Sequence, residues 1–370
     1  MRGIPVHSFT FFCPARNPAL YWLTYAMKSV QLVAPRRLEV REVPAPPEPG
    51  LGEVLVRPKA VGVCGSDLHW YREGRIGWTP AAYPQVLGHE PVAEVLAAGK
   101  DAGGFHPGQR VTIEPAIVCG RCEFCLDGQP NNCVRSRFMG GPDQPGLFRE
   151  LAVVPASNVV PIPDSLSLVQ AALIEPLAVI LHLMELTPIR VGDTVAVLGC
   201  GSIGMLCASV ARLRGASWVI AADKVEHRLP LAKKMGADAT VLMPHESLRD
   251  AVMDHTRERG VDVVLDAAGA TETINAGIGI ARRAGAFTLV GLPDEMQLNV
   301  DLHTAMAKEL RLQMMRRSCH NSHRAIDLLV AGRIPDALVT HRPGLEQTPE
   351  AFAMLDEYAA GVGKVVVEIP

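Results

Sequence analysis

The stretch Thr194-Val195-Ala196-Val197-Leu198-Gly199-Cys200-Gly201-Ser202-Ile203-Gly204 decides the fold. Residues 194–198 are apolar or β-branched and short enough for a buried strand. Three glycines follow in Gly-x-Gly-x-x-Gly spacing, and residues 205–214 continue as an apolar helix. In that context Gly199 permits a tight turn, Gly201 lets a pyrophosphate reach the backbone, and Gly204 lets helix and strand pack closely. The helix N-terminus then offers free N–H groups to an anion. The next strand, 218–222, ends in Asp223. A carboxylate there binds a ribose 2′-hydroxyl and repels a 2′-phosphate, which favours NAD over NADP. Lys224 and Arg228 lie close by and weaken that preference.

The alternation continues downstream. Helix 228–235, strand 240–242, helix 248–257, strand 261–265, helix 271–280 and strand 286–290 predict a doubly wound parallel sheet. Val290, Gly291 and Leu292, at a strand's carboxyl end, are placed to touch the nicotinamide side. Upstream the text differs. Residues 29–33, 38–43, 53–61, 92–97, 109–113, 148–154 and 159–162 read as short strands between turn signals, a β-rich, barrel-like unit. Residues 166–186 read as helical, with a break at Pro176. A last segment from about 310 holds a strand at 338–340, a helix at 349–359 and a strand at 365–369, and its β-rich ending predicts a return to the first unit.

The β-rich unit carries two chemical groups. In Gly62–His69 and Gly88-His89-Glu90, the residues Cys64, His89 and Glu90 offer a thiolate, an imidazole and a carboxylate, the three ligand types zinc accepts. Three strong ligands suffice where one position stays open for catalysis. Glu175 is a candidate fourth, directly or through water. Singly, such a cysteine is more often a small core residue and such a histidine a hydrogen-bonded one. The company they keep carries the metal reading. Cys119, Cys122, Cys125 and Cys133 sit in a lobe of Gly, Asp, Pro and Asn that cannot bury a core of its own. A tetrahedral four-thiolate zinc would fold it, and such a closed site is structural. The bland alternative, four free surface thiols, is one an intracellular protein has reason to avoid.

With 370 residues the chain is long enough for two domains. A net charge of −3 gives no sign of a nucleic-acid or membrane-surface partner. No apolar run is expected to span a bilayer. Five of the nine cysteines fall in metal-like contexts, which points to a reducing, cytoplasmic compartment and not to a disulfide framework. Residues 1–26 show no period and read as an extension ahead of the fold, a targeting peptide being the lesser reading.

These motifs together resemble the zinc-dependent medium-chain dehydrogenases, and among them the sorbitol (polyol) dehydrogenase group. The resemblance runs from Met27 to Pro370. It implies an α/β architecture: a GroES-like catalytic domain at 27–177 with the zinc lobe, a Rossmann NAD-binding domain at 178–314, and a return to the catalytic domain at 315–370. It implies two zinc ions per chain, a catalytic one on Cys64, His89 and Glu90 with Glu175 at or near it, and a structural one on the four cysteines. Glutamate at 175, where alcohol dehydrogenases carry a cysteine, points to the polyol branch. Ser66 and His69 match the family's proton relay. Ile203, Asp223, Arg228, Val290, Gly291 and Leu292 match NAD contacts, and Arg317 an arginine reaching substrate or coenzyme. The family usually forms homodimers or homotetramers. Two departures concern substrate: Trp70 and Ser318 stand where polyol enzymes usually carry tyrosines. Arg316 and Arg317, with His320 and His323, leave room for an anion. The expected function is hydride transfer from a secondary alcohol of a polyol to NAD. Threonine-type or sugar-phosphate dehydrogenase activity is the same-class alternative, and a non-catalytic NAD-binding redox sensor the different-class one.

Overall fold

The computed structural model describes residues 26–370. The expected N-terminal extension lies outside them, apart from Ala26, which opens the first strand.

The first unit is built on a seven-stranded sheet. Its main path runs Val159–Pro161, Arg110–Ile113, Glu90–Ala98, Glu53–Gly62, Lys364–Glu368, Val339–His341, with Ala152–Pro155 also pairing with Glu53–Gly62. Strand Lys364–Glu368 runs antiparallel to Glu53–Gly62, so the end of the chain does lie in the first unit's sheet. Alternating Val54, Val56 and Val61 with Val92, Val95, Val111, Phe148 and Phe352 fill one core. A three-stranded sheet, Arg37–Pro44, Ala26–Ala34 and Gln85–Val86, packs beside it.

The second unit is a six-stranded sheet in the order Ala239–Leu242, Trp218–Asp223, Thr194–Leu198, Val261–Asp266, Ala281–Leu289, Arg311–Met314. Every pairing in it is parallel. Strand order reverses at Thr194–Leu198, and the crevice beyond the carboxyl ends at such a reversal is where ligands bind in this architecture.

Two departures from the sequence reading have physical causes, and three elements were not foreseen. Residues 166–186 form two helices, Leu168–Ala171 and Ile174–Leu186, and the break falls before Pro176. Pro176 sits in the first turn of the second helix, where its missing N–H costs nothing. The paired stretch Leu168–Leu186 has the length and mean hydropathy, 1.6, of a membrane span, contrary to the expectation that no run would. Two thirds of it is buried inside the protein, as in a core helix. Helix Gly65–Glu73, strand Arg311–Met314 and helix Ser322–Val330 were not expected.

Candidate active site

Cys64 is the N-cap of helix Gly65–Glu73, and its backbone N–H donates to Asp67 Oδ2 at 3.0 Å. Asp67 is fully buried. Its Oδ1 accepts from the Gly88 N–H at 3.1 Å and pairs with His89 Nδ1 at 3.3 Å. One carboxylate therefore ties together both segments that carry the donors. It also fixes the histidine tautomer, leaving Nε2 as the free donor atom. Ser66 Oγ lies 3.3 Å from that Nε2.

Glu90 opens strand Glu90–Ala98 opposite Gly62. A Cβ at Gly62 would stand 2.0 Å from Glu90 Oε2, so only glycine leaves the carboxylate its place. Glu90 forms an ion pair with Lys364, whose Nζ also donates to the Val63 carbonyl at 2.9 Å. Both side chains are 1% exposed. Sequence reasoning missed Lys364, whose signal is a lysine entering the apolar run Val365-Val366-Val367.

Donor atoms of Cys64, His89 and Glu90 lie within 4.8 Å of one another, close enough to share one ion. Burial lowers the His89 pKa, yet Asp67 and Cys64 outweigh it and raise it well above the usual value. That negative surrounding suits a cation. A soft sulfur, an imidazole and a carboxylate fit zinc. Glu175 does not belong to this close set. It stands in a cavity of about 220 Å³ lined also by Glu114, Asn158, Phe138, Arg317, Ser318 and His320. Burial pushes its carboxyl up to about 7. Arg317 crosses the Phe138 ring at 4.3 Å and donates to Ser136 Oγ at 3.2 Å. Burial, with Arg316 adjacent, brings its pKa down to about 10. Trp70 is in the core and His323 on the surface, and neither lines the cavity.

The four cysteines of the lobe also gather within 4.8 Å. Hydrogen bonds from the backbone N–H groups of Cys125 and Val134 lower the Cys122 thiol to about 6, while burial and the neighbouring cysteines push Cys125 up to about 12. Asn131 docks the lobe, donating to the Arg316 carbonyl at 3.1 Å.

In the second unit Gly199 has φ +90°, and a Cβ on Gly204 would lie 1.8 Å from the Gly199 carbonyl oxygen. A Cβ on Gly201 would meet nothing within 4 Å, so this face of the turn is open to a phosphate. Ile203 packs partly buried against the core behind it. Asp223 is buried, accepting from the N–H groups of Cys200 at 2.5 Å and Val225 at 2.8 Å. Arg228 stands 3.9 Å from it. Val290 and Gly291 donate to the Asp266 carbonyl at 2.8 and 3.0 Å, and Leu292 is exposed just beyond. From the same loop Asp294 meets His69 Nδ1 at 3.0 Å. This contact joins the helix that starts at Cys64 to the carboxyl-end loop of the parallel sheet, and so sets the donor set beside the crevice. Arg317 is apart from this turn, among the cavity residues.

A metal-donor set on a β-rich unit, facing the nucleotide crevice of a parallel sheet, defines a metal-dependent oxidoreductase. The alcohol dehydrogenase GroES-like domain family matches residues 50–164, and the zinc-binding dehydrogenase family residues 202–331. The sorbitol dehydrogenase of Bacillus subtilis is 34% identical over 342 residues, 92% of this chain and 97% of that one. A structure assigned to the zinc-binding dehydrogenases, from Sinorhizobium meliloti 1021 and bound to NADP, superposes with a TM-score of 0.85 at 34% identity over 93% of this chain and 100% of that one. A short chain alcohol dehydrogenase from E. coli CFT073, complexed with NADH, gives 0.83 at 30% identity over 92% and 99%. The chain belongs to the zinc-binding dehydrogenases.

Proposed function

We propose that this dehydrogenase oxidises a secondary alcohol of a polyol, with NAD as hydride acceptor. The observation that carries the reading is the close Cys64, His89 and Glu90 set held beside the coenzyme crevice through His69 and Asp294. When bound, zinc supplies a Lewis acid that acidifies a hydroxyl, and the nicotinamide ring supplies the hydride acceptor. Cys64, His89 and Glu90 would hold that zinc, and the four lobe cysteines a second, structural one. Asp67 keeps His89 in the binding tautomer. Ser66 and His69 would relay the substrate hydroxyl's proton to solvent, each releasing one proton as it accepts another, with the coenzyme's ribose lying between them. Burial lowers the His69 pKa despite Asp294, so the ring is neutral and able to accept a proton. Glu175 and Arg317 orient substrate hydroxyls from the cavity. Because the cavity sets Glu114 and Glu175 against Arg317 and His320, its lining suits a neutral polyol better than an anion. Gly199, Gly201, Ile203 and Gly204 would cradle the pyrophosphate. Asp223 and Arg228 would face the ribose, and Val290, Gly291 and Leu292 the nicotinamide.

The deciding experiment is a panel of polyols, threonine and sugar phosphates with NAD and NADP on zinc-replete protein. Polyol turnover with NAD is expected. Turnover confined to threonine or a sugar phosphate would move the reading to that substrate, and none anywhere would favour a coenzyme-binding sensor. We place the domain boundaries at 177/178 and 314/315 and the protein in the reducing cytoplasm, where its thiols stay available to metal. We also propose a homodimer paired through the edge strand Arg311–Met314. Leu312 and Met314 on it, with Met306 nearby in sequence, are exposed by 36%, 58% and 80%. Two such edges related by a two-fold axis are self-complementary.

A further inference from the structure

One aromatic ring bridges the two units next to Asp223. Tyr358 follows helix Thr348–Asp356 in the left-handed region, at φ +51°. Three cations surround its ring: the Arg228 guanidinium at 5.0 Å from the centroid, Lys224 Nζ at 5.3 Å and the Arg72 guanidinium at 5.6 Å. Arg72 comes from the first unit and is already paired with Asp356. Lys224 and Arg228 come from the second unit, immediately after strand Trp218–Asp223. Among the described residues Lys224 forms no ion pair with a carboxylate. Arg228 stands only at the long distance of 3.9 Å from Asp223, and its buried Nε has no hydrogen-bond partner. Asp223 itself is occupied by two backbone N–H groups. The electron-rich face of Tyr358 is thus the shared attractor of both cations.

A 2′-phosphate on the coenzyme ribose would need those same two cations, since Asp223 repels it. We propose that Tyr358 is a specificity-determining, positioning residue for the coenzyme. By holding Lys224 and Arg228 on its ring, it withholds them from a 2′-phosphate and keeps the cradle selective for a free 2′-hydroxyl. This rests on the reading of Gly199 to Asp223 as the coenzyme cradle. Arg228 is largely buried and Lys224 exposed, and one desolvated and one exposed cation–π contact are together enough to move a binding ratio by about 5- to 30-fold.

The test uses fragments that carry only the discriminating end: 5′-AMP and 2′,5′-ADP, titrated calorimetrically into the full-length, zinc-replete protein. Wild type is expected to bind 5′-AMP more tightly. Tyr358→Leu keeps the bulk and removes the ring, and should shift the ratio toward 2′,5′-ADP by about 5-fold or more. Tyr358→Phe keeps the ring and should keep the wild-type ratio, and the readout that a merely structural role would not move is the ratio of the two fragments in Tyr358→Leu. A shift in Tyr358→Leu smaller than fivefold would overturn the proposal, as would a wild type that prefers 2′,5′-ADP. If Tyr358→Leu does not fold, Lys224→Met decides. A withheld Lys224 predicts 2′,5′-ADP binding within twofold of wild type, and any greater weakening overturns it. Failure of wild type to bind either fragment would instead bring down the coenzyme cradle itself, and this proposal with it.

Discussion

At the scale of single residues, the metal centre depends on two side chains that are not donors. Asp67 orients His89, and Lys364 balances Glu90 in a buried ion pair. Replacing one partner of a buried pair leaves the other charge unpaired, at about 3–5 kcal/mol. Lys364→Met should therefore lower the melting temperature and reduce zinc content, although Lys364 donates nothing to the metal. Equal stability and full zinc in that variant would show that Glu90 is compensated elsewhere. Cys64→Ala has a narrower expected effect: turnover falls below detection, zinc drops from about two to about one per chain, and NAD binding persists. Metal analysis with a coenzyme titration reads all three, and near-normal turnover would end the zinc mechanism. The donors themselves were legible in the sequence, because thiol, imidazole and carboxylate are conspicuous near glycines. Lys364 was not, since its partner lies across the sheet and no local spacing links them. Asp67 was visible only as one letter of Gly62–His69; its role needs the fold.

Whole elements show what a strand-turn-helix unit demands. On Gly204, a methyl group would sit 1.8 Å from the Gly199 carbonyl oxygen. Gly204→Ala should push helix Ser202–Leu213 off its strand, weaken coenzyme binding at least tenfold, and leave zinc content unchanged. Coenzyme affinity equal to wild type would count against the cradle geometry. At the opposite end of the sheet Asp262 anchors two arginines. Burial raises its carboxyl, but hydrogen bonds from Arg259, Thr194 and Arg282 prevail and hold it well below the usual carboxylate range. A depressed carboxylate contributes stability that is complete above the unfolded value, about 3.8, and is lost as pH falls toward the folded value. The acid limb of the unfolding curve below about pH 4 should therefore flatten in Asp262→Asn, which at neutral pH should also be less stable by about 2–3 kcal/mol. An unchanged acid limb would assign that loss of stability to other carboxylates. The buried strands and the glycine turn were readable because each obeys a local rule of period or spacing. Strand Arg311–Met314 was not, because its polar–apolar alternation lasts only four residues, none of them β-branched, and three of its four side chains are exposed. Helix Gly65–Glu73 hid for a related reason: its first turn is spent on the metal site, and Asp67 and Trp70 are buried where a surface helix would carry a clear polar face.

For the molecule as a whole, the open edge is the feature that calls for a partner. Met314→Lys on the edge strand should convert the proposed dimer to a monomer in light scattering while leaving zinc content intact. A wild type that is already monomeric would remove the dimer from the reading. Fold class and the interplay of two units were legible from the change of pattern near residue 190. What stayed hidden is how the units meet, through His69 with Asp294 and through Tyr358 with Lys224 and Arg228. Such contacts join residues more than a hundred positions apart and leave no periodic trace.

The late arrival of Lys364 has a consequence for biosynthesis. It reaches the Val63 carbonyl across a separation of 301 residues. While the ribosome is still building the parallel sheet, the pocket around Glu90 lacks its counter-charge, so a half-made polypeptide holds an unbalanced anion where the finished one holds a neutralised pair. The ion pair that closes this pocket can therefore form only after both sheets' earlier strands have been made, when the last strand of the chain is in hand.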